Sequence, residues 1–283
     1  MTGASDRKPS VTGRIDWRFA LGLGIAVLLA AAALLASWIA PFDPNRMGVG
    51  PRLAAPGARF LFGTDEFGRD LFSRVLVGAR LSLGIGVGAV GGGLLVGGLI
   101  GLTAAFSGRI VEVALLRVVD FLYSFPETLI ALSLVAFLGP GTANAATAIA
   151  VGMAPVFART VYGLAAVERG KPYVEAASLA TTSPIRLVRV HVLPNIVQSI
   201  AVLAMLGVSS AVLSAAGLSF LGLGVQPPAS EWGLILVSGA NYMHRAPWIL
   251  FFPGLAICLT VLSLNLIGDG LRDMSDPRHA RTS

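Results

Sequence analysis

The chain has 283 residues, 55% of them hydrophobic and 13% charged, with a formal charge of +6 and a mean hydropathy of +0.77. Soluble domains carry roughly 25% charged residues, so these figures exclude both a water-soluble enzyme and a disordered chain and point to a bilayer as solvent. The single cysteine, Cys258, excludes an internal disulfide, and the bases lie in loops between apolar runs, which suits membrane topology rather than nucleic acid.

A spanning helix needs about 20 mostly apolar residues. Six segments qualify: Phe19 to Ile39, Leu83 to Phe106, about Val118 to Leu138, Asn144 to Ala166, Ile196 to Leu223, and Trp248 to Ile267. The expected architecture is an all-α polytopic membrane protein, with a six-span domain at 19–271 between tails at 1–18 and 272–283. The first run is longer than the roughly 7–15 apolar residues of a signal peptide. It leads into Pro41-Phe42-Asp43-Pro44 rather than a small-residue cleavage site, so it reads as a retained anchor. A loop at 40–82 separates it from the second span, where Gly84 and Gly88, and then Gly93, Gly97 and Gly101, recur at four-residue intervals suited to close helix contact. Gly86-x-Gly88-x-x-Gly91 has the form of a dinucleotide fingerprint, but no strand precedes it, and helix packing is the expected role.

The third span has Arg117 and Asp120 at its start and Pro126 and Glu127 within it. Asp120, Glu127 and Asp269, at the end of the sixth span, are expected near membrane boundaries in capping or pairing roles. Most of the 21 lysines and arginines fall in the two tails and in the loops on their side, so the positive-inside rule places both termini and the loop 167–195 in the cytoplasm. The loop 40–82 and the segment with Pro227, Pro228, Glu231 and Trp232 then face outward, and Trp232 is expected at the headgroup level.

Catalytic chemistry has no footing. The only lysines are Lys8 and Lys171, and neither sits in a Gly-Lys-Ser or Gly-Lys-Thr phosphate loop, so any ATP hydrolysis belongs to another chain. His191, His244 and His279 lack metal-ligand spacing, and no Gly-x-Ser-x-Gly motif occurs. The loop 167–195 stands out instead. Pro172 can open a short helix containing the good helix formers Glu175, Ala176 and Ala177; Ser183 can cap a second one with Pro184 at its first position, ending at Pro194. The second mixes Ile185, Val188 and Val192 with Arg186, Arg189 and His191, a pattern for a membrane surface or a partner's groove.

The run E-A-A-S-L-A-T-T-S-P at 175–184, followed by H-V-L-P-N at 191–195, resembles the E-A-A loop of permease subunits in binding-protein-dependent ATP-binding-cassette importers. F-G-T-D-E-F-G-R-D-L-F-S-R-V-L-V-G-A-R-L-S-L (62–83), L-S-F-L-G-L-G-V-Q-P-P-A-S-E-W-G (218–233) and F-P-G-L-A-I-C-L-T-V-L-S-L-N-L-I-G-D-G-L-R-D (252–273) are similar to the second permease of the dipeptide, oligopeptide and nickel importers. The likeness covers about residues 15 to 279.

The resemblance implies a non-catalytic permease in the bacterial inner membrane, beside a second homologous permease. Two cytoplasmic ATPase subunits would carry ATP and Mg, and an external solute-binding protein would deliver peptides, or nickel, glutathione or another small solute. It assigns ATPase coupling to Glu175, Ala176, Ala177, Thr181, Ser183, Pro184, Arg186, Arg189 and Pro194. Thr181 stands where such loops usually have glycine; either the turn keeps ordinary backbone angles, which is the expectation, or coupling is altered. Asp65, Glu66, Arg69, Asp70, Glu231 and Trp232 are the candidate external contacts for the binding protein, with Arg74 and Arg80 as further charges that pair within the loop or meet the same partner. A homo-oligomeric channel is the competing class, and it lacks charged rings within the spans.

Overall fold

The computed structural model describes residues 17–180 and 183–275, and among them no strand forms. The helices are α1 (Trp17–Ile39), α2 (Leu71–Phe106), α3 (Arg109–Tyr123), α4 (Glu127–Leu138), α5 (Thr142–Arg169), α6 (Pro172–Ala180), α7 (Pro184–Leu187), α8 (Leu193–Phe220), α9 (Trp232–Ala240) and α10 (Trp248–Ser275). Helix α2 is central and touches α1, α3, α5, α8, α9 and α10. The outward side chains of α1, among them Leu28, Leu34 and Trp38, are apolar and exposed, as a lipid-facing surface requires.

Three boundaries differ from the sequence reading. Helix α2 starts at Leu71 rather than Leu83, because the Asp70 carboxylate caps it, accepting from the Ser73 N–H at 2.8 Å and its hydroxyl at 2.6 Å. Arg74 and Arg80 lower the apolarity of these first turns without breaking them; the Arg80 guanidinium donates to the Leu34 carbonyl and the Ser37 hydroxyl, both at 2.6 Å, near the end of α1.

The third span is not one rod. It breaks at Ser124-Phe125-Pro126 into α3 and α4, bent by 86°. Pro126 has no N–H to continue the ladder and disfavours helical angles at Phe125, while the Ser124 hydroxyl turns back to the Phe121 carbonyl at 2.6 Å.

The fifth span, finally, does not begin after Pro194. Helix α7 passes through a π-turn, Val188–Val192, directly into α8, so that one helical rod of 37 residues runs from Pro184 to Phe220. The wider turn accommodates the N–H that Pro194 lacks, with the Leu193 N–H bonded to the Val188 carbonyl.

Helices α2 and α5 meet backbone to backbone. A Cβ added at Gly93, Gly97 or Gly101 would lie 2.8, 2.3 and 2.5 Å from the carbonyls of Ala150, Ala154 and Ala158 respectively. In lipid, where apolar side chains gain nothing by leaving the solvent, such close approach supplies the dispersion contact that holds helices together. Gly84 and Gly88 take no part, since a Cβ at either would meet nothing within 4 Å; in the fingerprint-like run it is Gly86 that packs, against Val212 of α8.

At the end of the bundle formed by residues 40–70 and 221–247, the charges turn inward. Asp65, Arg69, Asp70, Arg74, Glu231 and Trp232 are each no more than 5% exposed. The Asp65 carboxylate accepts from the Arg69 Nε at 2.6 Å and the backbone N–H groups of Phe67 and Arg69 at 2.9 Å, and it pairs with the Arg74 Nε at 3.5 Å. Arg74 reaches on to the Pro44 carbonyl at 3.0 Å. Glu231 caps α9, accepting from the N–H groups of Gly233 at 2.9 Å and Leu234 at 2.8 Å and from the Ser82 hydroxyl at 3.2 Å. The Trp232 indole donates to the Val75 carbonyl at 2.8 Å. Asp65, Arg69, Asp70, Glu231 and Trp232 are therefore buried rather than presented at the surface as external contacts, and the Trp232 indole is packed inside the chain instead of standing at its rim as a headgroup anchor. Glu66 remains at the edge of this knot, 3.5 Å from the Arg69 Nη2, and burial pushes its carboxyl above the ordinary carboxylate range.

Two outcomes follow for the isolated chain in mild detergent. Gly97→Leu should cost about 3 kcal/mol or more through backbone overlap, while Gly98→Leu, with nothing within 4 Å of its Cβ, should leave the melting temperature near the parent's. Asp65→Ala strands two buried guanidinium groups and should lower stability by about 3–5 kcal/mol, read by the same melting curve.

Candidate functional site

Helices α6 and α7 form an elbow at the end of the bundle opposite this knot. Pro172 opens α6, and Glu175 lies exposed in its first turn with Ala176; Ala177 is half-buried. The Ser183 hydroxyl caps α7, accepting from the Arg186 N–H at 3.4 Å, with Pro184 at the first helical position. Arg186, Arg189 and Pro194 are exposed. Thr181 lies outside the described residues.

What anchors the elbow is apolar. Val174 of α6, Leu187 of α7, and Val192 and Ile196 of the rod pack with Ala105 of α2 and Ala165 of α5 in a small separate core. Polar contacts brace it. The Tyr173 phenol donates to the buried Glu168 carboxylate, which holds the phenol above its usual range, and lies 3.3 Å from the His191 carbonyl. Lys171 pairs with Glu168 at 2.8 Å, the Asn195 amide donates to the His191 carbonyl at 2.7 Å, and Arg169 at the end of α5 donates to the Ala105 carbonyl at 2.5 Å. A cavity of about 590 Å³ lies between the elbow and the ends of α2, α3 and α5, lined in part by Glu112, Tyr162, Arg169, Glu175 and Ser178.

The outer surface of the elbow carries large apolar side chains: Leu179 is 92% exposed and Ile185 71%. Flanked by Glu175, Arg186 and Arg189, these knobs suit a protein partner's groove. Sequence reasoning missed Leu179, and it missed Tyr173 and Val174 because their partners lie far along the chain. Among the described residues, no three His, Cys, Asp or Glu side chains converge where a metal could sit.

The intramembrane acids separate. Asp120 pairs with Arg159 at 2.7 Å, both half-exposed. The Glu127 backbone carbonyl packs on Gly152, where an added Cβ would come within 2.8 Å. Gly152 belongs to a helix that begins at Thr142, so it lies about 15 Å from that end at 1.5 Å per residue. The break before α4 thus sets the Glu127 backbone beside the interior of α5.

Comparison with known proteins places this architecture. Residues 93–281 match the family described as the binding-protein-dependent transport system inner membrane component. The chain is 45% identical to the di/tripeptide transport system permease protein DppC of Pseudomonas aeruginosa over 91% of its own length and 87% of the relative's. It is 40% identical to the probable D,D-dipeptide transport system permease protein DdpC of Escherichia coli, covering 90% and 85%, and 43% identical to an Escherichia coli glutathione transport system permease protein, GsiD, covering 89% and 84%. A solved inward-facing structure of the MetNI methionine ABC transporter shares the fold, with a TM-score of 0.59 and 20% identity over 71% of this chain and 97% of that one. With spans, elbow and sequence in agreement, the chain belongs to the family of binding-protein-dependent transport system inner membrane components.

Proposed function

We propose that this chain is one permease of an ATP-driven peptide importer, forming half of a pathway completed by a second homologous permease. Two ATPase subunits carry ATP and Mg on the cytoplasmic side, where both termini also lie, and a solute-binding protein delivers peptide from outside. The observation that carries the reading is the likeness, across 91% of the chain, to a permease named for di- and tripeptides. The glutathione permease among the relatives fits the same class, since glutathione is itself a modified tripeptide.

In this reading the elbow is where ATPase motion enters the membrane domain. Closure of the ATPase pair pulls on Leu179, Ile185 and Glu175, and the braces at Tyr173, Glu168 and Arg169 pass the load to α5 and α2 instead of letting α6 swing freely. The permease becomes a two-state element biased from both ends, by nucleotide on one side and loaded binding protein on the other.

Glu175→Ala should reduce ATP-driven dipeptide uptake in membrane vesicles by about tenfold or more with membrane insertion unchanged. Uptake at the parent rate removes Glu175 from coupling. Purification of the tagged chain in mild detergent should retain a second permease and ATPase subunits, and a chain that purifies only with copies of itself overturns the importer reading in favour of a channel.

A further inference from the structure

Helices α4 and α8 enclose a groove of about 470 Å³ whose lining is apolar except for Glu127, Thr128, Ser210 and Ser214. Glu127 and Ser210 lie at similar distances from neighbouring helix ends. Glu127 lies on Gly152, about 15 Å from the Thr142 end of α5, and Ser210 lies about 15 Å from the Phe220 end of α8. Ser214 is one turn from Ser210 on the same helix face. The Ser124-Phe125-Pro126 break ends immediately before Glu127, the first residue of α4 to line this groove.

A carboxylate in the hydrocarbon layer is expensive to keep and pairs wherever a partner is available. Asp120 does so with Arg159. Among the described residues, no Lys, Arg or His lies within ion-pair distance of Glu127. Its carboxylate lines the groove with its acceptor capacity unused.

Resting on the peptide-importer reading above, we propose that Glu127, with the hydroxyls of Ser210 and Ser214, forms a station in the pathway that binds the primary ammonium group of the passing solute. An ammonium offers three N–H donors in a compact cation, matched by one carboxylate and two hydroxyl acceptors. The groove volume lies within the roughly 300–1,000 Å³ of small-molecule sites. The station lowers the cost of carrying a free amino group past the apolar middle of the membrane, so it selects solutes with an unblocked amine.

The test uses the assembled importer in proteoliposomes, with its binding protein outside and ATP inside, and follows radiolabelled dialanine and ATP hydrolysis together. Glu127→Gln should lower dialanine uptake per ATP hydrolysed by about tenfold or more, Glu127→Asp should recover a large part of it, and the double change Ser210→Ala, Ser214→Ala should lower it several-fold. Unchanged uptake per ATP in Glu127→Gln overturns the station. Loss of uptake and ATP hydrolysis in parallel, with Glu127→Asp no better than Glu127→Gln, also overturns it and makes Glu127 a structural contact, such as an ion pair with the second permease. A parent importer that hydrolyses ATP with its loaded binding protein yet accumulates no dialanine overturns the peptide reading itself, and the station falls with it.

Discussion

The backbone-to-backbone seam between α2 and α5 is the contact on which the rest of this structure depends. Gly93, Gly97 and Gly101 admit three successive turns of α5, fixing its height as well as its angle. That register brings Arg169 to the Ala105 carbonyl and sets Ala105 beside Ala165 under the elbow. Farther along, α5 presents its own glycine, Gly152, to the start of α4. The same helix thus locates both the elbow and the start of α4.

Charge is handled in opposite ways along the membrane normal. At the end formed by residues 40–70 and 221–247, Asp65, Arg69, Arg74 and Glu231 are sunk among backbone groups that satisfy them, and the loops become a rigid lid over α2, α9 and α10. Such burial is weak evidence for net stability, because desolvation offsets much of the attraction. It does fix register, since each side chain has one arrangement that meets its partners. Beside the groove between α4 and α8 the rule is reversed, and Glu127 keeps an open face.

The spans were legible in the sequence because hydropathy is a local property: the first, second, fourth and sixth predicted segments each lie within one helix, the fifth overruns its helix by three residues, and the third is broken. Their limits were less so. Arg74 and Arg80 looked like loop charges because the carbonyls they reach, at Pro44 and Leu34, sit on segments that only the fold brings near. Pro126 was read as lying within one span, although its missing N–H breaks the helix there, and Pro194 suggested an end where a π-turn absorbs the missing donor. The Ser183-Pro184 cap was readable because both partners lie within one turn. Val174 and Leu187, by contrast, look like any apolar residues until Ala105 and Ala165 are beneath them. The charges at 62–74 were visible, and their burial was not.

The unbroken passage of α7 into α8 makes the rod a splint. Its 37 residues span about 55 Å and are fastened at two places: Leu187, Val192 and Ile196 pack with Ala105 and Ala165, and Gly207 sits against Phe157, Met153 and Val90. Both fastenings fall on the same two helices, α2 and α5, about 30 Å apart along the rod from Leu187 to Gly207. Tilting the rod against that pair would open one fastening or the other, so a displacement applied at Pro184 moves the three helices as one body.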